Sequence, residues 1–580
     1  MVVNMKKMIK IATVLGIAGV FACGALFFGT RTYAMEEKKE NVKEVLKEKN
    51  YDGYEIYKGK STNDGTFDIY YSDGYFKEDA SKYNPHMASL AMNLANSSTM
   101  NLVNGDYSHG AEHLTEALGS IGFKDIYVSD TYTKKPTKDS IACVIASKKL
   151  EQKKDMKYKY AIDISIRSAG YEAEWISNVT LGKEGEAKGF KEASEQIMNN
   201  YLKEYFDRHK DFDKYLANGE VAFYVNGYSR GGATANLTAK KLIDKYQKAG
   251  NGVYAYCIEA PQGGRKEEID PNRCYNGIHN IINPNDLVCY VAPTRMGFMR
   301  YGVDHYIAGG DSIKDKPYEK GVFFESKADN QYDHKIYLAN KDKAIKELKT
   351  MLNKEDVSKY APYEVSWKQF DLRHFKLNDV RNGNTYELIQ NFMDGLMLRA
   401  GKITINRERY SQTLEGAAGH ILEFMFKNPD IEKMKTIDNV NALYKPFESI
   451  LGTLAKNVEV SADTNNPFVA AWRFLFSKKS LRYSLNITDK VRNTLAQALV
   501  DSISSQKEIV KILNDSYPTK AKGALEDIRT IVLEVLSGSN NIDSFLTLGM
   551  NINGIFNNHT MLQTLAWLRI QDSFYTNAKQ

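Results

Sequence analysis

The chain has 580 residues, 43% of them hydrophobic and 26% charged, enough apolar material for one large core or two ordinary ones and too much for a disordered polymer. Most of its formal charge of +6 sits at the start: Lys6, Lys7, Lys10 and Arg31 fall within the first 34 residues, which hold no acid, and the remainder carries 74 basic against 72 acidic side chains. A balanced chain without a Lys/Arg run offers nucleic acid no electrostatic footprint, and that class of function is excluded.

The Lys-bearing start leads into an uncharged, mostly apolar segment, Ile11 to Thr30, and Thr32-Tyr33-Ala34 supplies a small-residue cleavage site. Residues 1–34 are therefore expected to be an export signal, with the mature protein starting near Met35. The segment is also long enough to span a bilayer, so an uncleaved anchor, associating the protein with the membrane, is the alternative. Cys23, behind Val20-Phe21-Ala22, adds lipid attachment as a third version. In each the rest of the chain lies outside the cytoplasm, secreted or held at the cell envelope. Charged residues Glu36 to Lys49 read as a solvated spacer. Four cysteines follow, at 143, 257, 274 and 289, too few for a disulfide scaffold. Cys143 and Cys257 lie in apolar runs and are expected to be buried and inert; spacing leaves a Cys274–Cys289 bridge open.

Tyr54 to Phe76 predicts a hairpin, followed by helices around Met87–Asn96 and His109–Gly119. Short β-type runs then alternate with helical ones. The strands are expected at Ile126–Val128, Ser140–Ser147, Tyr160–Arg167, Val221–Tyr228, Val253–Glu259 and His279–Ile282, with helices over Phe190–Phe206 and Ala233–Tyr246. Crossovers of helical length between strands argue for a mainly parallel sheet covered on both faces, an α/β fold. From about residue 335 to 550 strand signals fade. Apolar stripes at helical spacing, Leu388/Phe392/Leu396, Leu414/Ala418/Ile421 and Leu495/Leu499/Ile503, indicate a helical block that packs a core of its own or caps a substrate pocket. The expected organisation is a leader (1–34), a core (35–334), a large helical insertion (335–550) and a C-terminal segment (551–580).

Within this pattern Gly227-Tyr228-Ser229-Arg230-Gly231-Gly232 directly follows an apolar strand and directly precedes a helix. A nucleophile elbow turns so sharply that the positions two before and two after the serine must be small, and Gly227 and Gly231 meet that need. Gly232 lets the helix pack close. Serine catalysis further needs a base, a carboxylate to orient it, and two amides for the oxyanion. In an α/β-hydrolase the order is Ser, Asp, His. Asp286 fits second place, ending the run from Ile278 just after a strand; the plainer role for it is a turn aspartate capping the next segment.

The chain resembles the class 3 lipase family, which includes the secreted fungal triacylglycerol lipases. Ile166-Arg167-Ser168-Ala169, followed by Glu174-Trp175-Ile176-Ser177-Asn178, is similar to that family's strand ending in Arg-Gly-Thr or Arg-Gly-Ser and its downstream tryptophan. Gly189-Phe190 resembles its helix start ahead of the elbow. The elbow resembles Gly-His-Ser-Leu-Gly-Gly, with Tyr228 and Arg230 in place of His and Leu. Asn283 to Pro293 with Gly297-Phe298 resembles its Asn-x-x-Asp-x-Val-x-x-x-Pro block and following glycine-aromatic pair. The resemblance covers roughly residues 80 to 305 and the C-terminal end. It implies an α/β-hydrolase, an exported bacterial lipase-like protein, with Ser229 as nucleophile, Asp286 as orienting acid and an oxyanion hole from the Ala169 and Arg230 amides. Ala169 keeps the amide but lacks the family's hydroxyl. The family's lid would fall between Gly170 and Lys188, here short and bearing Lys183-Glu184-Gly185-Glu186. The family takes its histidine from near the C-terminus, which favours His559, with His305 as runner-up. His86, His109, His113 and His209 precede the serine; His334, His374 and His420 lie on or beside the insertion.

The function expected is hydrolysis of lipid or small acyl esters through an acyl-enzyme, without cofactor: His-Glu-x-x-His, Cys/His pairs and Walker loops do not occur. Two alternatives share the scaffold. One is an inactive envelope-associated binding protein whose 37 tyrosines furnish a surface; the other is a serine peptidase or thioesterase.

Overall fold

The computed structural model describes residues 46–99 (except 64), 109–169 (except 135), 174, 176–292 (except 284), 297–307, 323–325, 334–363, 367–371, 376–380, 520–526 and 558–572, with isolated positions between 493 and 529. The leader, Trp175, His374, His420 and the three apolar stripes of the expected insertion lie outside them. Among the described residues no helix is long and apolar enough to cross a membrane.

Three antiparallel strands open the described chain: β1 (Leu46–Tyr51), β2 (Tyr54–Thr62) and β3 (Thr66–Ser72). The central sheet then takes β4 (Lys124–Val128), β5 (Cys143–Lys149), β6 (Tyr160–Ile166), β7 (Val221–Tyr228) and β8 (Gly252–Ile258). A two-residue ribbon pairs β9 (Gly264–Arg265) with β11 (Phe298–Met299), while β10 (Ile278–Ile282), β12 (Val303–Ile307) and β13 (Phe323–Glu325) complete the central sheet. Its order is β13-β12-β10-β8-β7-β6-β5-β4. The five strands from β6 to β12 run parallel; the edges are antiparallel, β4 on β5, β5 on β6 and β12 on β13. The β5–β6 reversal follows from chain length. Only Leu150 to Lys159 connect them, and a parallel crossover needs a dozen or more residues.

The sheet is covered on both faces because its strands alternate large side chains between two helical layers. On β7, Tyr224 donates its hydroxyl to the Met87 carbonyl (2.7 Å) in the helix Pro85–Ser98, while the adjacent Phe223 stacks on Tyr246 in the helix Arg230–Tyr246. Tyr254 and Tyr256 on β8 likewise anchor the N-terminal segment, through Glu78 O (2.7 Å) and Asn84 N (3.0 Å). Asn84 caps its helix by accepting from His86 and Met87 amides, with Pro85 at the first position. Many of the tyrosines are therefore buried, among them Tyr71, Tyr75, Tyr205, Tyr224 and Tyr256, and these contribute no adhesive surface. The expected helix over Phe190–Phe206 is present as Lys188–Gln196 and Leu202–Arg208, joined by a wider π turn.

The chain divides into two compact units. One comprises residues 25–363 and 556–580, the other 1–24 and 364–555. The described part of the second is a hairpin of β14 (Trp367–Asp371) with β15 (Lys376–Val380), residues 520–526 and isolated positions from 493 to 529. The helix His334–Leu352, which the sequence places at the insertion's threshold, belongs to the first unit and packs on the helix Met561–Gln571. All four cysteines after the leader are free thiols, so Cys274 and Cys289 are not bridged. Cys143 and Cys257 are buried, and desolvation pushes both thiols far above their ordinary range.

Candidate active site

β7 is buried along its whole length and ends at Ser229, where the chain turns directly into the helix Arg230–Tyr246. The turn is as tight as the glycines predict. A Cβ on Gly227 would lie 2.4 Å from the Gly231 carbonyl oxygen, and one on Gly231 would lie 2.5 Å from the Ile166 carbonyl oxygen. The elbow is thus pressed against itself and against the end of β6. Gly232 approaches the Ile258 carbonyl at the end of β8 in the same way. Ser229 itself has φ 57° and ψ −126°, a conformation disfavoured for a residue with a side chain. Its amide is held by the Ile258 carbonyl at 2.9 Å.

From this strained position the Ser229 Oγ stands 2.9 Å from His559 Nε2, and His559 Nδ1 stands 2.5 Å from Asp286 Oδ2. His559 and Asp286 are fully buried and Ser229 nearly so. Asp286 uses both of its carboxylate oxygens. Its Oδ1 accepts from the Val288 amide at 2.8 Å and caps the turn Leu287–Tyr290, leaving Oδ2 for the imidazole. The Cys289 thiol also donates to Oδ2, at 3.3 Å. Tyr228, where the resembled family has histidine, stacks on the His559 ring with centroids 4.8 Å apart.

His559 reaches the serine across 330 residues of sequence because amides lace its segment to the acid loop. Asn283 Nδ2 donates to Asn558 O (2.9 Å) and Gln563 Oε1 (3.1 Å), and Asn558 Nδ2 donates to Asn285 O (3.3 Å) and Tyr363 O (3.2 Å). The following helix, Met561–Gln571, is buried at nearly every position and packs on the helix Pro85–Ser98. The runner-up, His305, lies elsewhere: it is buried on β12, its Nε2 3.1 Å from His279 Nδ1 and its ring against Tyr83. His86 is paired with Asp572 (2.6 Å) and His113 with Thr62 (2.8 Å).

Ala169 and Arg230, the residues whose amides the resemblance assigns to an oxyanion hole, are both buried, Ala169 just beyond β6 and Arg230 opening the elbow helix. The Arg230 side chain turns into the protein. Its Nε donates to Ser177 Oγ at 2.7 Å, and burial pulls its pKa down to about 10. Nearby, buried Arg167 pairs with buried Glu174. The charged stretch Lys183–Glu186, placed in a short lid by the resemblance, is not wholly solvated: Glu186 is buried, accepting from the Tyr301 hydroxyl (2.9 Å) and pairing with Lys241 (3.2 Å).

A second acid, Glu259, stands at the imidazole and was not singled out from the sequence. It follows β8 directly, and its Oε2 lies 3.2 Å from His559 Nδ1. The signal for it was an acid at the carboxyl end of an apolar parallel strand, where α/β sheets place their functional groups. Burial pushes the Glu259 carboxyl up, against a lowering contact with His559. Burial also opposes charge on His559, but Asp286 and then Glu259 outweigh it and push the imidazole up. Glu259, Asp286 and His559 are the only trio among the described residues with the ligand spacing for a metal ion. Two ligands of one tetrahedral ion at ~2.1 Å stand about 3.4 Å apart, so the 2.5 Å between Nδ1 and Oδ2 is a hydrogen bond and not a shared coordination sphere.

Fold and site together define an α/β protein with a mostly parallel central sheet and a serine, a histidine and an aspartate hydrogen-bonded in line at its carboxyl edge. No protein-family model matches the chain, and no curated protein matches it. Among solved structures it is similar to the Rhizomucor miehei triacylglyceride lipase, at 20% identity over 38% of this chain and 77% of that one with a TM-score of 0.26. It is likewise similar to lipase II from Rhizopus niveus, at 17% identity over 39% and 81% with a TM-score of 0.26, and to a lipase from Rhizopus microsporus var. chinensis, at 17% over 39% and 74% with a TM-score of 0.26.

Proposed function

We propose that the protein is a serine hydrolase that cleaves carboxylic esters of lipid or small acyl type. The observation that carries this is the buried line Ser229 Oγ, His559 Nε2, His559 Nδ1, Asp286 Oδ2, with gaps of 2.9 and 2.5 Å, anchored on a serine in strained backbone. In this proposal Nε2 takes the Ser229 proton as Oγ adds to the ester carbonyl. The oxyanion is met by the Ala169 and Arg230 amides, the alcohol leaves with the proton from Nε2, and a water activated by the same nitrogen releases the acid. No step needs a metal or an organic cofactor. In this proposal an export signal or anchor over residues 1–34 carries the chemistry outside the cytoplasm, and residues 364–555, which belong to the second compact unit, are inserted between acid and base in chain order. Fractionation of cells producing the full chain tests the location.

The decisive experiment treats the protein with a fluorophosphonate, compares it with Ser229→Ala, and assays short- and long-chain esters. Labelling of the native protein alone, with ester turnover, is expected. Labelling without turnover moves the assignment to a peptidase or thioesterase, and no labelling moves it to a binding protein.

A further inference from the structure

The proposed triad uses one carboxylate, yet two stand at its imidazole. We infer that Glu259 is a second positioning residue for His559, sharing Nδ1 with Asp286 and setting the pH range in which the imidazole accepts the Ser229 proton. This deepens the hydrolase reading and rests on it.

Three independent features single out Glu259. Its backbone has φ 45°, left-handed, where a glycine would sit without penalty and a glutamate is strained. Its side chain is completely buried, and a buried carboxylate is costly unless partnered. Its direction is fixed: Oε1 accepts the Thr564 hydroxyl, on the first turn of the helix that follows His559, and this leaves Oε2 at Nδ1. The backbone is also held, since the Glu259 amide donates to the Ile281 carbonyl at 2.7 Å. Packing alone requires neither the charge nor the strain.

The groups facing this carboxylate come from three elements. Asp286 and Cys289 belong to the loop after β10, Tyr228 to the end of β7, and His559 and Thr564 to the C-terminal segment. Tyr228 and Cys289 are both pushed up by burial, so each stays neutral where an enzyme would work. Arg300, which donates to the Cys289 carbonyl at 2.7 Å, is already paired with Asp304. The charge on Glu259 is therefore felt chiefly by the imidazole. When Glu259 is ionised, two carboxylates stabilise the imidazolium and the free base appears only at higher pH. With Asp286 neutralised, Oε2 can still accept the Nδ1 proton and keep Nε2 turned to the serine.

The test reads the rate of fluorophosphonate inactivation against pH, which follows the basic form of His559 without a turnover substrate. Glu259→Gln is expected to move the acid limb to lower pH by about one unit, because a negative charge beside the imidazolium is gone. Thr564→Val, which withdraws the hydrogen bond favouring the ionised carboxylate, moves it the same way by less and covers the case in which Glu259→Gln does not fold. Asp286→Asn is expected to keep at least ten times the inactivation rate of Asp286→Asn/Glu259→Gln. Unmoved limbs in the folded single variants, or equal rates in Asp286→Asn and the double variant, overturn the role of Glu259. Failure of the wild-type chain to label at Ser229 overturns the hydrolase reading itself, so the two failures are distinct.

Discussion

The two flanks of Ser229 are opposite in charge. On the side of β6, two buried guanidinium groups, Arg167 and Arg230, share one buried carboxylate, Glu174. On the side of β8 and β10, two buried carboxylates, Glu259 and Asp286, share one imidazole. The residues that flank the serine in the fold thus carry buried cations on one side and buried anions on the other. In the acyl transfer proposed above, the oxyanion would form on the side of the first and the imidazolium on the side of the second, in a dry interior where such charges act strongly. The flanks also differ in how they are satisfied. The anionic side is laced by amides and a hydroxyl, and Glu259 Oε2 meets His559 as an ion-pair contact rather than a hydrogen bond; the Arg230 Nη groups find no hydrogen-bond partner among the described residues.

The contrast can be broken most severely on the anionic side. His559→Ala removes the group both acids serve, and fluorophosphonate labelling of Ser229 is expected to fall by about 10⁵-fold or more, read by mass spectrometry of the adduct. On the cationic side Glu174→Gln removes the buried carboxylate that pairs with Arg167 and supports the charge on Arg230. It is expected to destabilise the fold by about 3–5 kcal/mol, visible as a lowered melting temperature.

Asp163 sharpens the comparison, because it is buried with neither cation nor imidazole. It accepts from Ser165 Oγ (2.8 Å) and Asn226 Nδ2 (2.9 Å), and burial still pushes its carboxyl up to about 8. The folded chain then holds a proton that the unfolded chain loses near pH 4. Stability from this group is present at low pH and is lost as pH rises toward 8, by about 1.4 kcal/mol per unit at the steepest. Urea titrations between pH 5 and 9 should show that slope in the wild type and a shallower one in Asp163→Asn. The smallest effect is expected from Arg230→Met. Relieving buried donors should raise stability by about 1 kcal/mol. Loss of the positive charge should lower the ester-hydrolysis kcat by less than about tenfold.

These elements were not equally legible. The elbow could be read from six residues, since its constraint is a local collision between Gly227 and Gly231 that any sequence making this turn must avoid. Asp286 was legible as a turn residue. Its second oxygen meets the imidazole only when a segment 273 residues later arrives. His305 and His559 could not be separated by local pattern, because each is a histidine beside an apolar run, and only the β12 position of one and the Asn283–Asn558 lacing of the other tell them apart. Glu259 looked like an ordinary strand end, for nothing nearby in sequence reveals that its left-handed backbone aims the carboxylate at an imidazole.

The amino-acid order by itself determined the alternation of strand and helix, the tight turn that lifts Ser229 and the near-neutral charge, because each depends on neighbours within a turn or two of chain. Tertiary structure alone decided which histidine meets the serine, that a second acid stands with the first, and that opposite charges flank the serine. Those outcomes depend on sheet order and long-range packing, where residues hundreds of positions apart become neighbours at hydrogen-bond distance.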